Sequence, residues 1–213
     1  MKKQIILLII ALSLNKANAQ DSLVSSKASE KHVGIGMRYG LGINTISSNN
    51  TGGVFTATLA SLLNFGFMIE GDITKKFSIQ PEMQFVQKGF SATSMGGTTI
   101  NARFNYLGFN LLPKLKFGND EIELFFLTGP SLNFNLSANA SDGNRTAEIQ
   151  DVAGSEFGVI FGGGLASGTK AGKFFFDVRY NLGLSDISDE TPKTSTDKLN
   201  QLAISIGYIF NVN

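Results

Sequence analysis

The chain has 213 residues, of which 42% are apolar and 16% are charged, and it contains 24 Gly and 18 Phe but no Cys. Without cysteine, a disulfide framework, a thiolate metal site and a thiol nucleophile are all excluded. The formal net charge of +1 excludes the strongly basic surface that nucleic-acid binding requires, so we expect no nucleic-acid partner. The apolar content and the small net charge together exclude a disordered chain.

The first residues have the pattern of a secretory signal peptide. Lys2 and Lys3 precede an apolar stretch that ends at Leu14, and Ala17-Asn18-Ala19 forms a small-x-small cleavage site. The apolar stretch is too short to cross a bilayer as a helix, which takes about 20 residues. The predicted organisation is a cleaved signal peptide at 1–19, a short periplasmic lead-in at 20–32 and a β-barrel domain at 33–213.

The rest of the chain alternates apolar and polar residues with a period of two, which predicts β-strands. In one example, Phe77 and Ile79 share one face of a strand while Gln80 and Glu82 share the other. The predicted strands are far longer than the ~5 to 6 residues of ordinary strands and match the ~9 to 11 that cross a bilayer. Eight segments follow the pattern, at 33–43, 59–72, 77–89, 105–117, 121–136, 155–167, 173–184 and 200–210.

The connections between these strands alternate without exception between long and short. Short periplasmic turns and long extracellular loops are typical of an up-and-down barrel in an outer membrane. We therefore predict an all-β fold, an eight-stranded antiparallel up-and-down transmembrane β-barrel. The long connections are 44–58, 90–104, 137–154 and 185–199, and the short ones are 73–76, 118–120 and 168–172.

Charge is confined to one face of the predicted strands, and most of the phenylalanine lies on the other. A lipid-facing wall demands this separation, because a Lys or Arg at the bilayer midplane costs ~2 to 4 kcal/mol. Glycine shares the charged face, which suits the crowded interior of a small barrel. A soluble ligand-binding barrel has the opposite arrangement, with an apolar cavity inside and charges outside. The predicted interior charge network is Arg38, Glu70, Glu82, Lys88, Lys114, Lys116, Glu121, Glu123, Glu156, Asp177 and Arg179, with Asp72 and Lys173 on the same face.

Residues that could carry catalysis are few. The single histidine, His32, precedes the first strand, where a catalytic role is geometrically difficult. Glu121 and Glu123 have the spacing of paired carboxylates, but Lys114 and Lys116 lie across a short turn and favour interior ion pairs. We therefore predict no catalytic residues, no cofactor and no enzymatic activity.

Three further motifs favour structural roles. The glycine run at 162–164 lies within a strand with no following helix, so it indicates bending and tight packing rather than phosphate binding. Asp186, Asp189 and Glu190 lack the spacing of an EF-hand, which favours a solvated loop over a metal site. Proline removes a hydrogen bond from a sheet, so we expect a bulge or a missing bond at Pro81 and at Pro113.

Several segments, taken in order, carry the motifs of a known family. Residues 77–89 contain Q-P-E-M-x-F-x-Q-K-G, and residues 157–164 read F-G-V-I-F-G-G-G. Residues 177–187 read D-V-R-Y-N-L-G-L-S-D-I. Together they resemble the PorT-like family of outer-membrane β-barrel proteins, within the porin family. The chain departs from that family's N-Y-L-E-I-P-L-L-x-K strand at Gly108 and Asn110.

The resemblance implies a barrel in the outer membrane of a Gram-negative cell, with outer-membrane lipid and the barrel-insertion machinery as partners. It does not settle a biochemical activity, but some relatives are associated with protein secretion, which makes another envelope or secretion protein a candidate partner. We predict an integral, non-enzymatic protein with a charge-filled interior and external loops for partner or surface interaction. The alternatives are a narrow porin-like channel for small solutes or ions, and a soluble secreted ligand-binding β-barrel.

Overall fold

The computed structural model describes residues 33–48, 58–93, 97–119, 121–189 and 196–212. The predicted signal peptide, the lead-in with His32, and Glu190 lie outside these ranges. Within them, no helix is long and apolar enough to cross a membrane.

The described residues form eight long strands and one short strand. The long strands have 12 to 20 residues, as the period-two pattern predicts, whereas the three-residue strand β6 was not predicted. The strands are β1 (Val33–Ser48), β2 (Thr58–Thr74), β3 (Phe77–Thr93), β4 (Thr99–Gly118), β5 (Ile122–Ser141), β6 (Thr146–Glu148), β7 (Ser155–Gly168), β8 (Gly172–Gly183) and β9 (Asp197–Val212).

The long strands pair into a closed antiparallel ring. Their order in the sheet is β4-β3-β2-β1-β9-β8-β7-β5, and β4 also pairs with β5, which closes the sheet on itself. The first and last strands pair from Val33↔Val212 to Ser48↔Asp197. β6 pairs with the end of β5 and forms a hairpin that extends from the ring. The predicted up-and-down arrangement of eight antiparallel strands is confirmed.

Short and long connections lie at opposite ends of this ring, here named the turn end and the loop end. The turn end joins β2 to β3, β4 to β5 and β7 to β8, and the loop end joins β1 to β2, β3 to β4, β5 to β7 through β6, and β8 to β9. The strands continue further towards the loop end than predicted, and β3 and β4 pair as far as Thr93↔Thr99. Beyond a lipid-facing wall the apolar alternation stops, while backbone pairing continues, so the sequence pattern underestimates the length of the strands.

Both prolines interrupt one of the ladders beside them. The β2–β3 ladder omits Pro81 and resumes in the same register at Ile79. The β4–β5 ladder likewise omits Pro113 and resumes in register at Lys114. The predicted interruption of the sheet is therefore found at both prolines. The register of strand pairing is the same on the two sides of each interruption.

Apolar side chains cover the outside of the ring, and polar side chains fill its inside. Successive residues of β5 show the contrast, because Phe126 is 53% exposed while Phe125 is 1% exposed. The outward residues include Phe67, Phe109 and Phe161, all nearly half exposed. An apolar exterior around a polar interior is the reverse of a soluble ligand-binding barrel and matches the predicted lipid-facing wall.

Candidate functional site

The inward charges form three groups between the turn end and the loop end, and each group contains equal numbers of acidic and basic side chains. Ten of the eleven residues predicted for the interior network lie in them, and all ten are buried. The turn-end group is Glu70, Asp72, Lys114, Lys116, Glu123 and Lys173, the central group is Arg38, Glu82, Asp177 and Arg179, and the upper pair is Lys88 and Glu156.

The turn-end group joins side chains from β2, β4, β5 and β8. Lys114 Nζ lies 2.6 Å from Glu70 Oε2 and 3.5 Å from Glu123 Oε1. Lys173 Nζ donates to Glu123 Oε2 at 3.0 Å. Lys114 Nζ also lies 4.1 Å from the centre of the Phe125 ring, close enough for a cation–π contact.

Solvent reaches the turn-end group at the edge nearest the turns. Lys116 Nζ lies 2.5 Å from Asp72 Oδ1, and the side chains of Asp72 and Lys173 are each 18% exposed. Ion pairs at this edge are therefore screened more than those deeper in the ring.

Every charged side chain of the central group is at most 4% exposed. Arg179 Nη1 donates to both carboxylate oxygens of Glu82, at 2.9 and 2.8 Å, and Arg179 Nε donates to Asp177 at 2.8 Å. Arg38 lies 3.8 Å from Glu82 and 3.6 Å from Asp177. Asn110, one of the departures from the PorT-like pattern, donates to Glu82 at 3.0 Å. These contacts join β1, β3, β4 and β8 across the interior.

The upper pair lies beyond the central group on the way to the loop end. Lys88 Nζ lies 2.5 Å from Glu156 Oε1, and both side chains are almost wholly buried. The Lys88 ammonium is also 5.8 Å from the centre of the Tyr106 ring. A buried ion pair of this kind is costly to break, because the remaining charge is left without a partner.

Aromatic rings and missing side chains complete the packing of the interior. Phe125 and Phe175 point inward and are buried, although most phenylalanine lies outside. A Cβ atom at Gly207 would overlap the Phe175 ring, and one at Gly164 would lie 2.6 Å from the Phe125 ring. The inward glycines therefore provide the space that the large inward side chains fill.

An apolar cluster, here named the cap, covers the loop end. It combines the extended parts of β4, β5 and β9 with residues from two loop-end connections. Its buried members are Ala102, Phe104, Tyr106, Ala138, Ile187 and Leu199, and Ile46, Phe90, Ile149 and Val152 pack against them.

Backbone hydrogen bonds connect the two cap-forming connections to each other. Ala153 N donates to Ile187 O at 2.8 Å, and Asp189 N donates to Asp151 O at 2.8 Å. Val152 and Ser188 form an isolated antiparallel bridge between them. Ile187 is thereby held against the mouth of the ring.

Little space remains between these groups. A gap at the level of the central group has a volume of about 20 Å³, which is room for about one water molecule. Porins, by contrast, leave an aqueous channel through the interior.

Glu121 corrects the predicted network. Its side chain is exposed in the turn between β4 and β5, and its backbone binds Asn119 and Gly168. The alternation that identifies the inward face of β5 does not extend into the turn, so the assignment of Glu121 to the interior is wrong. Without it, the interior charge groups contain six basic and six acidic side chains.

Asp186, in the last loop, binds backbone N–H groups through its side chain. Asp186 Oδ1 accepts hydrogen bonds from Ser188 N at 3.1 Å and Asp197 N at 3.0 Å. Among the described residues, no group of three or more His, Cys, Asp or Glu side chains is placed to hold a metal ion.

The family model for the outer membrane protein beta-barrel domain matches residues 18–189. The chain belongs to this family. Its apolar outer wall therefore faces the lipid of an outer membrane, and that location excludes the soluble secreted barrel. Among the curated proteins, none matches the chain.

Solved outer-membrane proteins share the fold at low sequence identity. OprG from Pseudomonas aeruginosa aligns with a TM-score of 0.54 and 12% identity, covering 87% of this chain and 98% of its own. Neisserial surface protein A aligns at 0.51 and 12%, covering 83% and 96%. Ail, the attachment invasion locus protein of Yersinia pestis, aligns at 0.50 and 15%, covering 86% and 99%. These likenesses concern the fold alone.

Proposed function

We propose that this protein is a non-enzymatic, non-conducting outer-membrane barrel whose external loop end binds a partner. The observation that carries the proposal is the filled interior, with three neutral charge groups in succession beneath the apolar cap. Each charged side chain has its counter-charge within 4 Å, so none is left to attract a permeating ion. A channel would need an open polar path in place of these contacts.

A non-enzymatic role is supported by the same pairing. Ten of the twelve inward charged side chains are buried and all twelve are paired with one another, so none of them is a free general acid or base. The one histidine, His32, belongs to the proposed periplasmic lead-in. The proposed organisation around it is a cleaved signal peptide at 1–19 and insertion of 33–213 by the barrel-insertion machinery.

The loop end is the proposed interaction surface. The extended strands and the β5–β6 hairpin carry the sheet beyond the apolar wall, and the cap holds two connections in fixed positions. A rigid scaffold that presents loops is a common arrangement for recognition. The PorT-like resemblance favours an envelope or secretion protein as the partner.

A swelling assay separates this proposal from the narrow channel. Liposomes that contain the folded protein should swell in small sugars and amino acids no faster than protein-free liposomes, with a general diffusion porin as the positive control. Swelling that rises with protein content would support the channel instead.

Site-specific photocrosslinking tests the partner. A photoreactive residue at Asn144, in the exposed β5–β6 turn, should give a protein adduct in intact cells. The same residue at Lys170, which is exposed at the turn end, is the matched control and should not give that adduct. No adduct from Asn144, or the same adduct from both sites, would contradict a partner at the loop end.

A further inference from the structure

The central gap has a lining that is entirely buried. Its volume is about 20 Å³, and each lining side chain belongs to a residue that is at most 6% exposed. The gap therefore lies away from both ends of the ring. Its lining residues are Arg38, Asn64, Gln84, Ile160, Arg179, Asn181, Gln201 and Ala203.

Three of these residues have buried polar atoms without a hydrogen-bond partner. They are one donor, Arg38 Nε, and two acceptors, Asn64 Oδ1 and Asn181 Oδ1. The other ends of two of these side chains are occupied, since Arg38 Nη1 donates to Gln84 at 3.3 Å and Asn64 Nδ2 donates to Gln201 at 3.0 Å. Rotation to find other partners would break these bonds.

We propose that the gap binds one ordered water molecule, which accepts a hydrogen bond from Arg38 Nε and donates to Asn64 Oδ1 and Asn181 Oδ1. Buried waters typically make about three hydrogen bonds and need roughly 10–15 Å³ of space. The number of unpaired groups, their donor and acceptor character and the volume all match one water. A buried donor or acceptor that has no partner is destabilising, so the site favours occupation.

The surrounding charges disfavour an ion in the same place. Arg38 and Arg179 are balanced by Glu82 and Asp177 within the central group. The two amide oxygens would repel an anion, and the Arg38 guanidinium would repel a cation. A neutral molecule with both donors and acceptors fits all three groups.

The bound water would connect strands that are not all neighbours. Arg38 lies on β1, Asn64 on β2 and Asn181 on β8, so the water bridges the interior and holds the Arg38 guanidinium towards its carboxylate partners. This role holds whether the barrel conducts or is closed, so it does not depend on the proposed function.

Methyl NMR of the folded protein in lipid nanodiscs tests the site directly. Ile160 and Ala203 line the gap, and we expect nuclear Overhauser peaks between water and both methyl groups, with the sign of a water held longer than a nanosecond. Absence of both peaks, or the sign of rapidly exchanging water, would overturn the proposal.

A pair of matched variants ties the signal to the gap. Ala203→Val adds two methyl groups beside the gap and should abolish the water peak of Ile160. Ala166→Val makes the same change at an equally buried site that does not line the gap, and the peak should remain. A peak that persists in folded Ala203→Val protein would contradict the proposal, as would its absence from folded Ala166→Val protein.

Two further experiments identify the bound species. Ser205 Oγ contacts Arg38 Nη2, so Ser205→Ala tests whether an exchanging hydroxyl produces the signal. We expect the water peak to survive this change, and its loss would assign the signal to the hydroxyl. Crystals soaked in bromide should show no anomalous peak in the gap, and such a peak would identify an anion site instead of water.

Discussion

The charge groups and the cap close the same ring by different physical means. Inside the wall, ion pairs such as Arg179–Glu82 link several strands of the ring and leave no charge unbalanced. At the loop end, apolar contacts around Ile187 and backbone bonds between two connections cover the mouth. The first arrangement is part of the barrel itself, whereas the second rests on segments that can open locally.

This difference predicts different consequences of mutation. A broken ion pair should lower the free energy of unfolding of the whole barrel, because it leaves a buried charge without compensation. A broken cap contact should change local opening and leave the barrel folded. The expected effects therefore decrease from the central charge group to the exposed turn at the loop end.

Arg179→Gln should have the largest effect, a loss of about 3–5 kcal/mol in the free energy of unfolding. The change leaves Glu82 and Asp177 with Arg38 alone to balance two carboxylates. Urea unfolding in lipid vesicles measures it, followed by gel mobility without boiling, because the chain has no Trp for fluorescence.

The double variant Arg179→Gln/Asp177→Asn is the control for that prediction. It restores charge balance in the central group, so it should be more stable than the single variant. A single variant within about 1 kcal/mol of the wild type, or a double variant no more stable than the single, would show that the pairing does not stabilise the ring.

Gly207→Ala should cost about 1–3 kcal/mol through overpacking. Its new methyl group would overlap the Phe175 ring and the Met37 carbonyl oxygen. Gly71→Ala is the matched control, because the nearest atom to a Cβ there is the Ile79 carbonyl oxygen at 3.9 Å. Equal urea midpoints for the two variants would contradict the tight interior.

Ile187→Ala should loosen the cap while the barrel remains folded. Removing buried apolar contacts worth about 2 kcal/mol should speed hydrogen exchange at the amides of Ala153 and Asp189 about 30-fold. Leu184→Ala, at a residue that is 42% exposed in the same connection, should leave both rates unchanged. A fall in the urea midpoint as large as that of Arg179→Gln would mean that the cap and the barrel unfold together.

The smallest expected effect is the pH response of the β5–β6 turn. Backbone hydrogen bonds from Arg145 and Asn144 lower the pKa of Asp142 below its usual value of 3.8. Because the pKa of Asp142 is lowered in the folded state, the stabilisation that these hydrogen bonds give is present above the usual pKa. It is lost as the pH falls through the lowered pKa. Amide shifts of Asn144 and Arg145 should titrate below pH 3.8, and a midpoint at or above that value would contradict the bonds.

The sequence predicts the interior correctly where lipid imposes a pattern. Between the two membrane faces a charge on the outer wall is costly, so alternation alone is enough to place Arg38, Glu82 and Asp177 inside the ring. The same argument fails at Glu121, because a residue in a turn does not have to face either the lipid or the interior of the ring.

The loop end is largely beyond prediction for a related reason. Residues 137–141 and 99–104 are assigned to loops by their sequence, although they continue β5 and β4, because outside the lipid a strand can be polar on both faces. The partners of Ile187 come from distant segments and follow from the closed topology. The inward aromatic rings of Phe125 and Phe175 escape prediction because each has a phenylalanine beside it on the outward face.

Single-channel recording in a planar lipid bilayer tests the central claim, that the interior is closed by balanced charges, most directly. With the wild-type protein inserted, and insertion verified by resistance of the barrel to protease, the current should stay at the level of the bare bilayer at neutral pH. A general diffusion porin in the same bilayer gives the reference step. Stable, reproducible conductance steps from the wild-type barrel would contradict the account.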